Sequence, residues 1–345
     1  MERSTTVRRD PRCAAVPMSG APLVTVLMPV FNRDDFVDDA IRSVIEQDFA
    51  DFELLIVDDG SNDRTPEILQ SWTRRDPRVV AITSPANVGI PSALNFGLQH
   101  ARGTYVARLD SDDLMMPRRL AEQAAVLDRD RGVVLVSCAY EIMDAAGNYI
   151  GTWRGDEPHE AVTYFLNFYN IVGGHGQVMF RRAEVLDEGG YSTEVPSSED
   201  YDLWVRLLRR GRIHTLPFVG MKKREHGANA TQQFAPIKHA NWTAIMRRSL
   251  ERYLQREIRD DEIDALITLW RHDGKLGAAP VADRVMREAF ARFRSEHSDR
   301  ELLRRVRERT AREWIEAART LPRIERASYI ARAARWSFKS IFKRH

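Results

Sequence analysis

Apolar positions gather first between Leu23 and Pro29, a β-rich run, and then recur as Val37, Ala40, Ile41, Val44 and Ile45 at the three- and four-residue spacing of a helix. The cycle then repeats. Phe52 to Val57 reads as strand, Asp58-Asp59-Gly60-Ser61 as loop, and Thr65 to Trp72 as a short helix. Val79 to Thr83 opens a third cycle, with a loop at 85–89 and a helix from Pro91 to His100. Tyr105 to Leu109 is a fourth strand that runs into Asp110. This alternation predicts an α/β domain with a mainly parallel central sheet, whose functional loops leave the carboxyl ends of the strands.

A helix over Pro117 to Leu127 and a strand over Val133 to Ala139 follow, after which the pattern loosens through a glycine-rich stretch between Gly147 and Gly176. Tyr201 to Arg210 reads as helix and Ile213 to Val219 as strand. Beyond Gln232 the periodicity is almost wholly helical, over Ile237 to Leu250, Glu262 to Arg271, Ala279 to His297 and Glu301 to Ala318. The expected organisation is a flexible leader at 1–21, an α/β domain at 22–231 and a helical carboxyl-terminal region at 232–345.

Composition narrows the function. The 345 residues carry 52 Lys and Arg against 50 Asp and Glu, a formal charge of +2, so the chain has no global signature of nucleic-acid binding. Cys13 and Cys138 are its two cysteines, and their spacing suits neither a disulfide framework nor a zinc site, which predicts a reducing, cytoplasmic setting. The apolar run from Leu23 to Phe31 is far shorter than a membrane span, and Met1 to Gly20 is too polar for a signal peptide.

Acidic and polar groups collect at the predicted strand ends: Asp58-Asp59, Asn87 to Gly89 and Asp110 to Asp113, with Glu199-Asp200 further on. A lone Asp-x-Asp is most often a solvated turn. Behind a strand in a repeating strand and helix context, Asp110 and Asp112 are two short carboxylates able to converge on a hard cation that also meets diphosphate oxygens.

These motifs together resemble glycosyltransferase family 2, over roughly Thr25 to His226. The matching segments are Pro29-Val30-Phe31-Asn32, the unbroken Asp58-Asp59-Gly60-Ser61-Asn62-Asp63-Arg64-Thr65, Asn87-Val88-Gly89 with Ala93 and Asn95, Ala107 to Asp113, Glu199-Asp200, and Arg224-Glu225-His226. The resemblance implies an inverting enzyme with the GT-A, Rossmann-like nucleotide-sugar-binding fold and the helical region as an extension. By the same resemblance, Pro29, Phe31, Asn32, Asp58, Asp59, Asn87, Arg108, Asp110 and Ser111 would hold the nucleotide sugar. Asp112, with Asp110 and His226, would hold Mn2+ or Mg2+. Asp200 would be the catalytic base, with Glu199 as the next candidate, and His175 and Trp204 would face the acceptor. For Trp204, packing against the sheet is the plainer reading.

The implied partners are a nucleoside-diphosphate sugar, with UDP as the default, and a glycan or lipid-linked saccharide acceptor in bacterial surface polysaccharide synthesis. The alternatives are a sugar-nucleotide nucleotidyltransferase or a non-catalytic nucleotide-binding module. Residues 29–35 lack the glycine that a nucleotidyltransferase phosphate loop would carry. The carboxyl-terminal helices also offer a surface for homo-oligomer formation. Within the tail, Ile330, Ala331, Ala334, Phe338, Ile341 and Phe342 recur at helical spacing. Arg323, Arg326, Arg332, Arg335, Lys339, Lys343 and Arg344 there oppose only Glu325, a charge of about +6. This combination predicts peripheral contact with the inner face of the plasma membrane, and packing against the protein's own body is its rival.

Overall fold

A computed structural model describes residues 20–84, 86–155, 157–227, 235–271 and 277–337. Nearly all of the expected leader, Cys13, and the tail residues Phe338, Lys339, Ile341, Phe342, Lys343 and Arg344 lie outside the described residues.

The first half of the fold is the anticipated succession of β1 (Val24–Val30), α1 (Val37–Ile45), β2 (Phe52–Asp58), α2 (Thr65–Arg75), β3 (Val79–Thr83), α3 (Ile90–His100) and β4 (Tyr105–Arg108). Strands β3, β2, β1 and β4 lie side by side and parallel. Their register sets Val30 against Asp58 and Asp58 against Thr83, so the loops that follow all leave one edge of the sheet.

The side chains of β1 alternate between the faces as a strand requires. Val24, Val26 and Met28 join one apolar core with α1, α2 and α4 (Arg119–Arg129), whereas Leu27 joins the core on the other side. There α3 comes so close that a methyl at Gly97 would sit 2.3 Å from Leu27 Cδ1. Gly97 therefore permits that packing distance.

The second half is mixed rather than parallel. Strands β5 (Leu114–Met115), β6 (Val133–Met143) and β7 (Tyr149–Trp153) are followed by α5 (His159–Phe165), β8 (Met179–Arg181), α6 (Arg182–Asp187), α7 (Glu199–Leu207) and β9 (Arg212–Arg224). The three-residue β8 inserts between β4 and β6, antiparallel to both, while β9 runs parallel to β6. Strand β5 pairs antiparallel with β9, Leu114 opposite Lys222 and Met115 opposite Met221.

The helical region forms α8 (Ala235–Leu254), α9 (Asp260–Trp270), α10 (Ala278–Glu296), α11 (Arg300–Arg319) and α12 (Arg323–Trp336). Its apolar faces merge with those of α3, α5 and α7 into one continuous core. The final helix turns inward. Tyr329, Ala333 and Trp336 are buried, Tyr329 meets the Trp314 ring, and Trp336 Nε1 donates to Asp283 Oδ1 at 3.0 Å. Ile330 packs partly against the same core, whereas Ala331 is exposed. The described part of the tail thus follows the packing alternative, and the membrane reading rests on residues 338–345. No helix among the described residues is long and apolar enough to cross a membrane.

Candidate active site

One cavity of about 1060 Å³ runs along the edge where the strand-end loops gather. Its walls include Pro29, Phe31, Asp59, Asn87, Asp110, Ser111, Asp112, His175, Glu199 and Asp200, which the sequence places up to 171 residues apart.

At one end Asp59 organises the backbone. Its Oδ1 accepts from Ser84 Oγ at 2.6 Å and Val88 N at 3.0 Å, and its Oδ2 accepts from Gly89 N at 2.9 Å. Gly89 has φ +80°, so glycine suits the bend that aims its N–H at Asp59. Asp58 accepts from Ser61 N at 3.0 Å and closes the preceding turn. The Asn32 side chain accepts from Asn62 N at 2.9 Å and ties the first loop to the second instead of lining the cavity.

Arg108 is also behind the wall. Fully buried, it donates to the Leu27 and Leu109 carbonyls and to Asp110 Oδ1 at 2.6 Å. It therefore positions Asp110 and does not itself reach a ligand in the cavity. The enclosed setting works against ionisation of Asp110, but Arg108 and then His175 outweigh it and hold the carboxyl below its ordinary range.

The β5 and β9 pairing carries the second cluster. It sets residues 110–113 beside the end of β9, where Asp112 Oδ2 lies 3.0 Å from His226 Nε2 and 3.6 Å from Arg33 Nε. The His226 ring stacks on Phe36 at 4.9 Å, and the Arg224 guanidinium lies 5.0 Å from the same Phe36 ring. Asp113 accepts from Arg224 N at 2.8 Å. Burial, then repulsion from Asp112 and Asp110, push its carboxyl well above the usual range.

Among the described residues no three His, Cys, Asp or Glu side chains converge as a ready-made cation cage. Asp112 and His226 do converge, and the crowded carboxylates of residues 110, 112 and 113 repel one another. Such a partial set fits a cation whose coordination is completed by phosphate oxygens and water.

Helix α7 begins at the cavity wall with Glu199 and Asp200. Asp200 Oδ2 accepts from Asn170 Nδ2 at 3.1 Å. Glu199 is buried, its Oε1 lying 3.9 Å from His175 Nδ1. Burial, opposed by His175 and reinforced by Asp200, raises its carboxyl above the ordinary 4.5. Trp204 cannot face an acceptor: it is wholly buried, packs near Phe180 and donates to Gly173 O at 3.4 Å. Its place one turn into α7 directs the indole toward the core.

Several wall residues had no individual role in the sequence reading. Arg33 and Lys223 adjoin motif segments and could have been found by that adjacency. Tyr140 and Trp153 stack across β6 and β7 with ring centres 5.2 Å apart, and burial followed by Asp113 pushes the Tyr140 hydroxyl up to about 12. Tyr169, Asn170, Trp242 and Trp270 belong to no motif, and only the tertiary packing reveals them.

Comparison with known proteins bears on the family and the fold. The family model Glycosyl transferase family 2 matches residues 25–190. A putative glycosyltransferase of Bacillus subtilis, EpsE, is 30% identical over 201 residues, covering 56% of this chain and 69% of that protein. An uncharacterized glycosyltransferase of Haemophilus influenzae is 27% identical over 249 residues, 69% of this chain and 76% of the relative. Against another from Rickettsia typhi, 28% identical, the chain spans 66% of the relative's length.

Among solved structures, S. aureus TarS residues 1–349 in complex with UDP-GlcNAc superposes with a TM-score of 0.56 at 17% identity, covering 93% of each chain. A mannosyltransferase of Pyrobaculum calidifontis in complex with GDP-Man and Mn2+ gives 0.54 at 20% identity, over 95% of this chain and 89% of the other. These two likenesses establish the fold, a mixed α/β GT-A-like sheet with a helical region after it.

Proposed function

This chain belongs to glycosyl transferase family 2, and from that premise we propose that it moves a sugar, with inversion, from a nucleoside-diphosphate donor to an acceptor hydroxyl. The observation that carries the proposal is the shared cavity. Asp59, Asp110 and Asp112 line it from the strand ends, and Asp200 lines it from the start of α7. A binding module would need the first group alone.

In this reading the donor base and ribose lie against Pro29, Phe31, Asn87 and the loop held by Asp59, with Asp58 shaping the turn behind. Asp110, fixed by Arg108, and Ser111 adjoin the ribose and diphosphate. Asp112 and His226, with Asp110 beside them, would hold a divalent cation, Mn2+ or Mg2+, which neutralises charge on the departing diphosphate when bound. The Mn2+ bound by the Pyrobaculum protein supports that choice. Arg33 and Lys223 add positive charge on the same wall.

Asp200 takes the proton of the attacking hydroxyl while Asn170 fixes its orientation. Glu199, on the same cavity wall with its Oε1 3.9 Å from His175 Nδ1, is the second candidate for that role. One displacement inverts the anomeric centre, so no sugar becomes attached to the protein. UDP is the preferred donor nucleotide, in line with the ligand of TarS. The setting we infer is surface polysaccharide synthesis at the cytoplasmic side of a bacterial envelope, where the basic residues Lys339, Lys343 and Arg344 would favour anionic lipid.

The test is a donor-hydrolysis screen with UDP-, GDP- and dTDP-sugars, with and without manganese or magnesium, followed by product analysis with saccharide acceptors. Release of nucleoside diphosphate that depends on both metal and Asp200 supports the proposal. Pyrophosphate-dependent formation of nucleoside triphosphate would instead identify a nucleotidyltransferase.

A further inference from the structure

The cavity does not end at Asp200. Beyond it, α8, α9 and α11 supply Trp242, Trp270, Arg309 and Glu313 to the same wall, facing Tyr169 from the segment after α5. The Tyr169 and Trp270 rings lie 4.4 Å apart, and Trp242 is fixed by its Nε1, which donates to Phe168 O at 3.2 Å. An aromatic wall of this kind suits the C–H face of a pyranose ring, which is apolar, while the ring hydroxyls need polar partners at its edge.

Those partners are present. Asn170 Oδ1, His175 Nε2, Glu199 Oε2 and Trp270 Nε1 are buried and have no hydrogen-bond partner among the described residues, yet all four residues line the cavity. Leaving buried polar groups unsatisfied is costly, because each has given up its hydrogen bonds to water. Hydroxyls admitted among them with small side-chain adjustments would remove much of that cost.

Charge selects further. Arg309 is held by Glu313 at 3.0 Å and approached by Glu157 at 3.8 Å, so its cation is already compensated. Asp200 adds another carboxylate nearby on the wall. A phosphate or carboxylate guest would meet this acidic excess, whereas an uncharged sugar would not.

We propose that this end of the cavity is a subsite for an uncharged pyranose acceptor, walled by Tyr169, Trp242 and Trp270, so that the helical region selects the acceptor. The proposal rests on the glycosyl-transfer reading above. It adds that acceptor choice is separable from donor binding.

The experiment measures transfer to p-nitrophenyl glycosides of glucose, galactose, mannose and N-acetylglucosamine, with p-nitrophenyl glucuronide as the anionic counterpart. It compares the full chain with Trp242→Leu, Trp242→Phe and Trp270→Phe. At least one neutral glycoside should accelerate donor turnover in the wild type, and the glucuronide should not. Trp242→Leu and Trp270→Phe should each raise the acceptor KM about five- to tenfold, with donor KM and donor hydrolysis unchanged, and Trp242→Phe should recover most of the loss.

Trp270→Phe separates the subsite from mere packing. It removes packed ring volume together with an unpartnered N–H, so a packing role alone predicts a changed Tm with an unchanged acceptor KM. That result, preference for the glucuronide, or wild-type turnover that no neutral glycoside accelerates would overturn the subsite. Failure of the wild type to turn over any nucleotide sugar would instead overturn the transferase reading.

Discussion

Asp112 Oδ2 lies 3.0 Å from His226 Nε2, although 114 residues separate the two in sequence. Two residue pairs between β5 and β9 are enough to bring them together, because β5 begins just after Asp112 and β9 ends just before His226. If this pair holds the cation, Asp112→Asn keeps the side-chain shape but removes the anionic ligand. Metal-dependent transfer should fall at least about a hundredfold with an unchanged circular-dichroism spectrum. Wild-type turnover by D112N across a manganese titration would remove Asp112 from the metal role.

Phe36 is predicted to act through its neighbours. It stacks on His226 and lies against Arg224, so Phe36→Leu should free the imidazole without touching a ligand atom. The manganese concentration for half-maximal activity should rise about tenfold, with kcat largely restored at saturating metal. A loss of kcat that excess metal does not recover would contradict this positioning role.

The pair at the start of α7 should divide by role. Asp200→Asn should bind donor normally and transfer slowly, whereas Glu199→Gln should keep most of its turnover. Glu199 also makes a pH prediction. Its folded-state affinity for a proton is raised, so its favourable contribution is complete below the unfolded value near 4.5 and is lost as pH rises through the folded value. Glu199→Gln should therefore raise Tm relative to wild type at neutral pH, and the difference should shrink as pH falls below that range. A difference that grows on acidification would contradict the burial argument.

The last helix should matter for stability. Trp336 is buried against Phe290 and bonded to Asp283, so Trp336→Ala should destabilise the chain by about 3–5 kcal/mol in urea unfolding. A change below about 1 kcal/mol would indicate that α12 is not part of the core.

The first four strands and three helices were legible because each apolar run is short and punctuated by a polar motif, and β1, β2 and β4 are buried on both faces. The long helices from Asp260 to Arg319 were legible from their period, with ends within a residue or two of expectation. The middle was not. Strand β8 has three residues and exists because β4 and β6 flank it, a non-local relation that leaves no periodicity. Strand β9 runs five residues past the expected Val219, because pairing with β5 and the end of β6 continues to Arg224.

The site divides the same way. Motif residues such as Asp59, Asp112 and Asp200 could be named from the chain, yet Arg108 and Asn32 prove to be supports behind the wall. Trp242 and Trp270 reach the cavity only because the helical region folds back on the sheet. Trp204, an aromatic beside an acidic motif, is core, since its position on α7 faces inward.

The central claim is single-displacement sugar transfer, and proton NMR of the reaction mixture tests it most directly. With an α-linked nucleoside-diphosphate hexose, metal and a saccharide acceptor, the account predicts that the donor anomeric signal decays as free nucleoside diphosphate and a β-linked product appear together, and that in Asp200→Asn the donor signal persists and both products form far more slowly. An α-linked product, or a donor that turns over to nucleoside triphosphate and sugar phosphate only when pyrophosphate is added, would contradict it.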